Sequence, residues 1–440
     1  MKHHLKYLLA AIIIATASLL HATTPVFEEC FADSTLRLDY IFGADSASTI
    51  ILLDKQVKTS GWAGRRHRLS ELPYKRSNGI LTVCNAMNGD TIYQTSFSSL
   101  FHEWLATGEQ FTRPRSFPNS FLVPLPKDSA TITIKLYDAK SQPLAYMAHT
   151  YSPNDVLVER PQSKTPEHRY LHRGGASAEA IDVAILPEGY TIEERDSFYA
   201  HATTAATEIL KYEPYKSHSD RFNFVAVWIP SADSGVSIPR LGEWKNTAFS
   251  SHFSTFYSPR YLTTEKINDV HDALSTIPYE QIIILANTDE YGGGGIYNSY
   301  MLTTARNKEF NPVCVHEFGH SFGGLADEYF YDGDIMENSY PTDIEPWEPN
   351  ITTLVDFNSK WASQLAPSTP VPTPARDADL YPTGVYEGGG YSSRGVYRPA
   401  NECRMRNNSY PSHCPVCIRA LEKLIEFYTI SQIISQDRQE

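Results

Sequence analysis

Asn311-Pro-Val-Cys-Val-His316-Glu317-Phe-Gly-His320-Ser-Phe-Gly-Gly-Leu-Ala-Asp327-Glu328-Tyr329 is the stretch from which the rest of the chain can be read. His316 and His320 stand four residues apart, which on a helix puts both imidazoles on one face, one turn apart. Two neutral nitrogen ligands so spaced can grip a small tetrahedral cation, with Glu317 beside them as general base for a water. The flanks predict that helix: Asn311 suits an N-cap and Pro312 the first helical position, where the missing N–H is no loss. Val313, Val315, Phe318 and Phe322 supply apolar packing surface, and Gly323-Gly324 tolerates the left-handed turn that ends a helix. Beyond the turn, Asp327 and Glu328 offer an oxygen ligand. A structural helix with two incidental histidines is the alternative, but it leaves the Asn-Pro start, the double glycine and the acidic pair unexplained.

At the amino end, Met-Lys-His-His-Leu-Lys precedes an apolar run, Tyr7 to Leu20, and small residues near Ala22. That order is a secretory leader, 1–22, too short for a comfortable membrane span. Secreted or periplasmic location is therefore expected, without an integral span. The chain is formally −13, and losing Lys2 and Lys6 with the leader leaves about −15, which argues against nucleic acid as partner.

Residues 23–155 carry seven short runs rich in Ile, Thr, Tyr and Phe: Leu36–Ile41, Thr49–Leu53, Ile80–Cys84, Thr91–Phe97, Phe121–Leu125, Thr131–Tyr137 and Leu144–Tyr151. Their spacing predicts an all-β antiparallel sandwich. Polar residues 156–178 read as a linker. In 179–440, apolar runs at Ala180–Leu186, Phe222–Ile229 and Gln281–Ala286 alternate with helical stretches near Ile192–Tyr212 and Thr264–Leu274, the pattern of an α/β layer. The expectation is a two-domain α+β protein.

Four other features need a reading. Gly292–Gly295 permits close backbone approach, either as a bare strand edge that could pair with an extended peptide or as a flexible loop. Arg65-Arg66-His67-Arg68 reads as a solvated loop. Cys30 and Cys84 could form a disulfide, and Cys403 could bond to Cys414 or Cys417; Cys414-Pro-Val-Cys417, opening an amphipathic segment to Ile434, also has the layout of a redox site or a structural metal site. Cys314, inside the histidine helix, reads as a buried small hydrophobe.

Met405, in Cys403-Arg-Met405-Arg, looks like the methionine that lies in a turn beneath the metal in metzincins. Together with the histidine stretch, Tyr386-Glu-Gly-Gly-Gly-Tyr391, Tyr397-Arg398-Pro399 and Cys414-Pro-Val-Cys417, it makes residues 180–430 resemble the bacterial IgA metallopeptidase family. The resemblance implies a secreted zinc endopeptidase: a β-rich N-terminal domain, then a metzincin-like α/β domain acting on a protein or peptide, with a host glycoprotein or immunoglobulin among the candidates and a monomer expected. It does not imply immunoglobulin A as substrate. The metzincin spacing would put the third ligand at Ala326, which cannot bind metal; if Gly324 makes the turn, Asp327 falls there, with Glu328 in reserve. The expected set is Zn²⁺ on His316, His320 and Asp327, with Glu317 as base and Tyr329, Tyr397, Tyr410 or Arg398 as oxyanion donor. Two other classes stay open: an exported binding or adhesion protein with a degenerate metal domain, and a CxxC redox protein.

Overall fold

The computed structural model describes residues 24–161, 163–331 and 339–429; the expected leader at 1–22 and the end of the last amphipathic segment lie outside the described residues. The first part runs α1 (Phe27–Cys30), β1 (Phe31–Ala44), β2 (Thr49–Ser60), β3 (Gly79–Asn85), β4 (Thr91–Phe97), α2 (Leu100–Ala106), β5 (Arg115–Pro126), β6 (Ala130–Tyr137) and β7 (Pro143–Tyr151). Two sheets result, ordered β2-β1-β5 and β4-β3-β6-β7, with every pairing antiparallel. Alternate residues of β3 and β6, such as Leu81, Val83, Ile132 and Ile134, are buried, as the period of two in a half-covered strand requires. Rings from both sheets meet where Phe97 packs on Phe121, centroids 4.3 Å apart.

All seven expected runs fall in strands, but the region is not all-β. Leu100, Phe101 and Trp104 are buried on α2 at helical spacing. Nor is the arginine run solvated. Arg65 is 3% exposed. Its guanidinium donates to the Gln94 carbonyl at 2.5 Å and lies over the rings of Tyr93 and Phe427, 4.7 and 4.9 Å from their centroids. His67 Nε2 meets the Phe427 carbonyl at 3.1 Å. Cations here stack on aromatic faces beside the end of the last helix, a long-range partner that local charge patterning does not reveal.

The second part runs β8 (His168–Arg173), β9 (Ile181–Glu188), α3 (Arg195–Ile209), β10 (Phe222–Val227), α4 (Ile267–Ala273), β11 (Gln281–Ala286), β12 (Gly293–Ile296), β13 (Tyr300–Thr304), α5 (Phe310–Ser321), β14 (Tyr386–Gly389), β15 (Ser392–Arg398) and α6 (Pro415–Thr429). One six-stranded sheet is ordered β12-β13-β11-β9-β10-β8. Its four inner strands are parallel and buried along their length, and β12 and β8 are antiparallel edges. β8 lies inside the polar stretch read as a linker; its His and Arg residues hide a strand because one side of an edge strand can face water.

Both faces of this sheet are covered. Ile181, Val183 and Ile185 of β9 pack in one apolar core with α3, α5 and α6, whereas Ala184 and Leu186 join the core that contains the N-terminal sheets and α4. The helix bearing the histidines is thus held against a rigid sheet. Among the described residues no helix is long and apolar enough to cross a membrane.

Candidate metal centre and its cleft

Helix α5 begins two residues earlier than its sequence suggests. Glu309 is its N-cap and Asn311 lies within its first turn, because Asn307 makes the preceding turn: its carbonyl accepts the Phe310 N–H at 3.0 Å and its side-chain oxygen accepts the Glu309 N–H at 2.9 Å. Pro312 still falls in the first turn, where its missing donor is harmless. At the other end Gly324, with φ +57°, takes the left-handed conformation and donates to the His320 carbonyl at 2.9 Å. Tyr74 of the N-terminal part donates to the Gly323 carbonyl at 2.6 Å. The turn at Gly324, not Gly323, brings Asp327 back over the helix.

His316, His320 and Asp327 converge. The two Nε2 atoms are 3.0 Å apart, and Asp327 Oδ1 is 3.0 Å from His316 Nε2 and 3.3 Å from His320 Nε2. Each ring is turned by a carbonyl: His316 Nδ1 meets the Arg404 carbonyl at 3.0 Å, and His320 Nδ1 meets that of Leu325 at 2.6 Å. With protons on both Nδ1 atoms, the two Nε2 lone pairs point at one another and at Oδ1, which is buried without a hydrogen-bond partner. Three lone-pair donors so close repel unless a cation or proton sits between them. A tetrahedral zinc with nitrogen ligands at about 2.0–2.1 Å sets its ligand atoms about 3.3 Å apart, so the donor set fits that ion in size and chemistry.

The surroundings hold this set in place. The Tyr391 hydroxyl donates to Asp327 Oδ2. Met405 is fully buried, and its sulfur lies against Gly319, where any larger residue would strike it. Glu317 is half-buried between strand β12 and the cleft, and desolvation pushes its carboxyl up from the ordinary range against the pull of His316 and His320. Burial alone would lower His320; the Asp327 charge overcomes it and raises the imidazole to about 9, while the same pairing draws Asp327 well below its usual range. Those shifts describe a set of groups that wants positive charge in its midst.

The four glycines form the edge strand β12, and what they approach is α5: a Cβ on Gly293 would press the Glu317 carboxylate, and one on Gly295 would run into the Glu317 carbonyl. Part of the outer side of β12 is already met by Arg260 and Tyr261.

The centre opens into a cleft of about 1490 Å³ lined from both parts of the chain. Loops at Asp45–Ser48 and Asp138–Ser141, with His102 and Glu103 of α2, face Gly292–Gly295, Glu317 and Tyr329. Glu103 accepts from the Tyr261 hydroxyl, and burial lifts its carboxyl to about 7. No local motif marks Glu103, Arg260, Tyr261 or the N-terminal loops; only the tertiary fold brings them here. Of the four oxyanion candidates, Tyr329 lines the cleft and stacks beside His316 at 6.4 Å, with the Arg260 guanidinium 5.8 Å from its ring centroid. Arg398 is instead spent on the carbonyls of Glu387 and Gly388, Tyr397 pairs between β14 and β15, and Tyr410 packs its backbone on Asn407; none of the three lines the cleft.

Glu328 points away from the histidines. Its carboxylate accepts from Asn350 at 3.0 Å and from the Cys417 thiol at 3.1 Å. The expected disulfides are absent: all six cysteines are free. Cys403 and Cys417 stand 3.8 Å apart, sulfur to sulfur, against about 2.05 Å for a bond. Cys84 lies in β3 beside Thr91, and Cys30 ends α1 unpaired. Cys414 and Cys417 are buried at 2% and 0% exposure, unlike the accessible thiol of a redox site. Cys314 is buried in the core between α3 and α5, as expected.

A buried set of histidine and carboxylate donors at the floor of a long cleft is what a metal-dependent hydrolase requires. Comparison with protein families agrees on the class: residues 170–382 match the model described as IgA Peptidase M64, and residues 26–147 match Peptidase M64 N-terminus. The chain belongs to the IgA peptidase M64 family and is a peptidase, with protein or peptide as its substrate. A search of curated proteins finds no match.

Proposed function

We propose that this chain is an exported zinc metalloendopeptidase of metzincin-like fold in which His316, His320 and Asp327 hold the metal and Glu317 is the general base. The observation that supports this most is the convergence of two Nε2 lone pairs and an orphaned, buried carboxylate oxygen within 3.0–3.3 Å of one another at the floor of a cleft. Zinc in such a set supplies Lewis acidity to a scissile carbonyl and to a water.

The residues do the rest. An extended peptide lies in the cleft between the N-terminal loops and β12, which positions one carbonyl over the histidines. Glu317, its carboxyl raised by burial, accepts a proton from the attacking water at one Oε and returns it to the leaving amine. Tyr329 and Arg260 supply donors to the negative oxygen that develops on the carbonyl. Tyr391 and the Arg404 and Leu325 carbonyls fix the orientation of Asp327, His316 and His320. The basic start and short apolar run at 1–22 support export to the periplasm or beyond.

The test is cleavage of an unfolded protein such as reduced casein, before and after removal of metal by a chelator. Activity should vanish on chelation and return with stoichiometric zinc; cleavage unaffected by complete metal removal would refute the assignment.

A further inference from the structure

Four ligand atoms of a second kind meet below the first centre. Sγ of Cys403, Cys414 and Cys417 and a carboxylate oxygen of Glu328 all lie within 4.8 Å of one another, and all four residues are buried. We infer that this cluster is a structural zinc site, distinct from the site in the cleft.

Geometry and chemistry both support it. Thiolates held tetrahedrally at about 2.3 Å from zinc have sulfur atoms about 3.8 Å apart. Cys403 and Cys417 stand at 3.8 Å, too far for a disulfide and right for one edge of that tetrahedron. Glu328 Oε1 is 3.1 Å from Cys417 Sγ, and Oε2 is buried with no hydrogen-bond partner. A carboxylate left half satisfied at 0% exposure, facing three thiols, is costly without a cation. Cys414 also donates its backbone N–H to Cys403 Sγ at 3.3 Å, the kind of contact that supports a thiolate. Cys-x-x-Cys at the start of α6, a third cysteine eleven residues earlier and the Glu328 carboxylate together offer four buried protein ligands and no open position, as a structural site requires.

The site would tie together the three segments that build the floor of the cleft. Glu328 follows Asp327, and its N–H donates to the Met405 carbonyl at 2.8 Å. Cys403 is two residues from Met405 and adjacent to Arg404, whose carbonyl orients His316. Cys414 and Cys417 carry α6, which packs in the same core as α5. Removing this ion should therefore loosen the cleft floor without touching a ligand of the first site.

The experiment is metal analysis of the full mature protein, of His320→Ala and of the double variant C414S/C417S, purified in zinc and freed of loose metal by gel filtration. Two zinc per chain in the wild type and one in each variant is the expected result. To separate loss of metal from loss of fold in the double variant, the wild type is also examined with cobalt in place of zinc. A thiolate-to-cobalt charge-transfer band that persists in His320→Ala, together with three thiols that react only after chelation in denaturant, supports the site. One zinc in the wild type and none in His320→Ala, with no charge-transfer band, would overturn it, as would a Cys403–Cys417 or Cys414–Cys417 disulfide in the mass map of the purified protein. A single zinc in the wild type that His320→Ala does not lose, with the cobalt–thiolate band intact, would count against the peptidase centre and leave this site standing.

Discussion

Asp327 and Glu328 are neighbours in the chain and serve opposite sides of the same floor. Asp327 turns toward two imidazoles and the open cleft, whereas Glu328 turns toward three thiols in the interior. The donors differ as the settings do. Nitrogen and oxygen ligands beside a cleft leave room for a water and a substrate; sulfur ligands sealed in a core leave none. Acidic residues in tandem are thus no redundancy: neighbouring side chains on the segment that follows α5 turn to opposite sides, one to each cluster.

The largest effect that would sharpen this contrast is His320→Ala. It should remove zinc from the cleft and abolish turnover, weakening that metal by more than the roughly 10–100-fold typical of losing an outer partner, while the thiols stay protected. Retained cleft zinc by elemental analysis would break the distinction. Gly293→Ala comes next: its Cβ would press the Glu317 carboxylate, so kcat should fall on the order of 100-fold with metal content unchanged, since a displacement of about 1 Å at the reacting groups has that scale. Unaltered kcat would mean that the carboxylate has slack to spare. Tyr391→Phe should lower the affinity for cleft zinc by about 10–100-fold, read by competition with a chromophoric chelator, and leave the cysteine cluster untouched.

The smallest effect is on global stability and lies away from both clusters. Burial holds His271 neutral, lowering its imidazole to about 3. As the pH falls below 6.5 the unfolded chain takes up a proton that the folded chain refuses, so stability present at neutral pH is lost progressively down to about 3. His271→Gln should flatten that slope by up to about 1.4 kcal/mol per pH unit, measured from urea midpoints at pH values across the window. An unchanged slope would assign acid loss to the metal centres instead.

Much of this was legible in the chain. The four-residue offset of His316 and His320 set the helix face, and the double glycine set its end, although which glycine turned left was open until Gly324 took φ +57°. Strands with clear alternation or unbroken apolar runs were found. Asn311 misled because an N-cap motif is local, whereas the turn made by Asn307 starts the helix at Glu309, two residues before it. Cysteine spacing alone does not separate a disulfide from a metal site, since both need sulfurs near one another and only their distance decides. Glu103, Arg260, Tyr261 and the loops across the cleft carried no signal, because their role exists only once the N-terminal sheets pack on the second sheet. The same holds for Arg65, whose aromatic partner Phe427 is more than three hundred residues away in sequence.

The most direct test of the central claim is Glu317→Gln, assayed for protein cleavage and for metal content on one preparation. The substitution keeps the shape of the side chain and removes its capacity to take a proton. A full complement of zinc with turnover reduced by about 10²–10⁴-fold is the predicted result. Cleavage at the wild-type rate with zinc in place would contradict the account, because the proton would then have to be moved by some other group in the cleft.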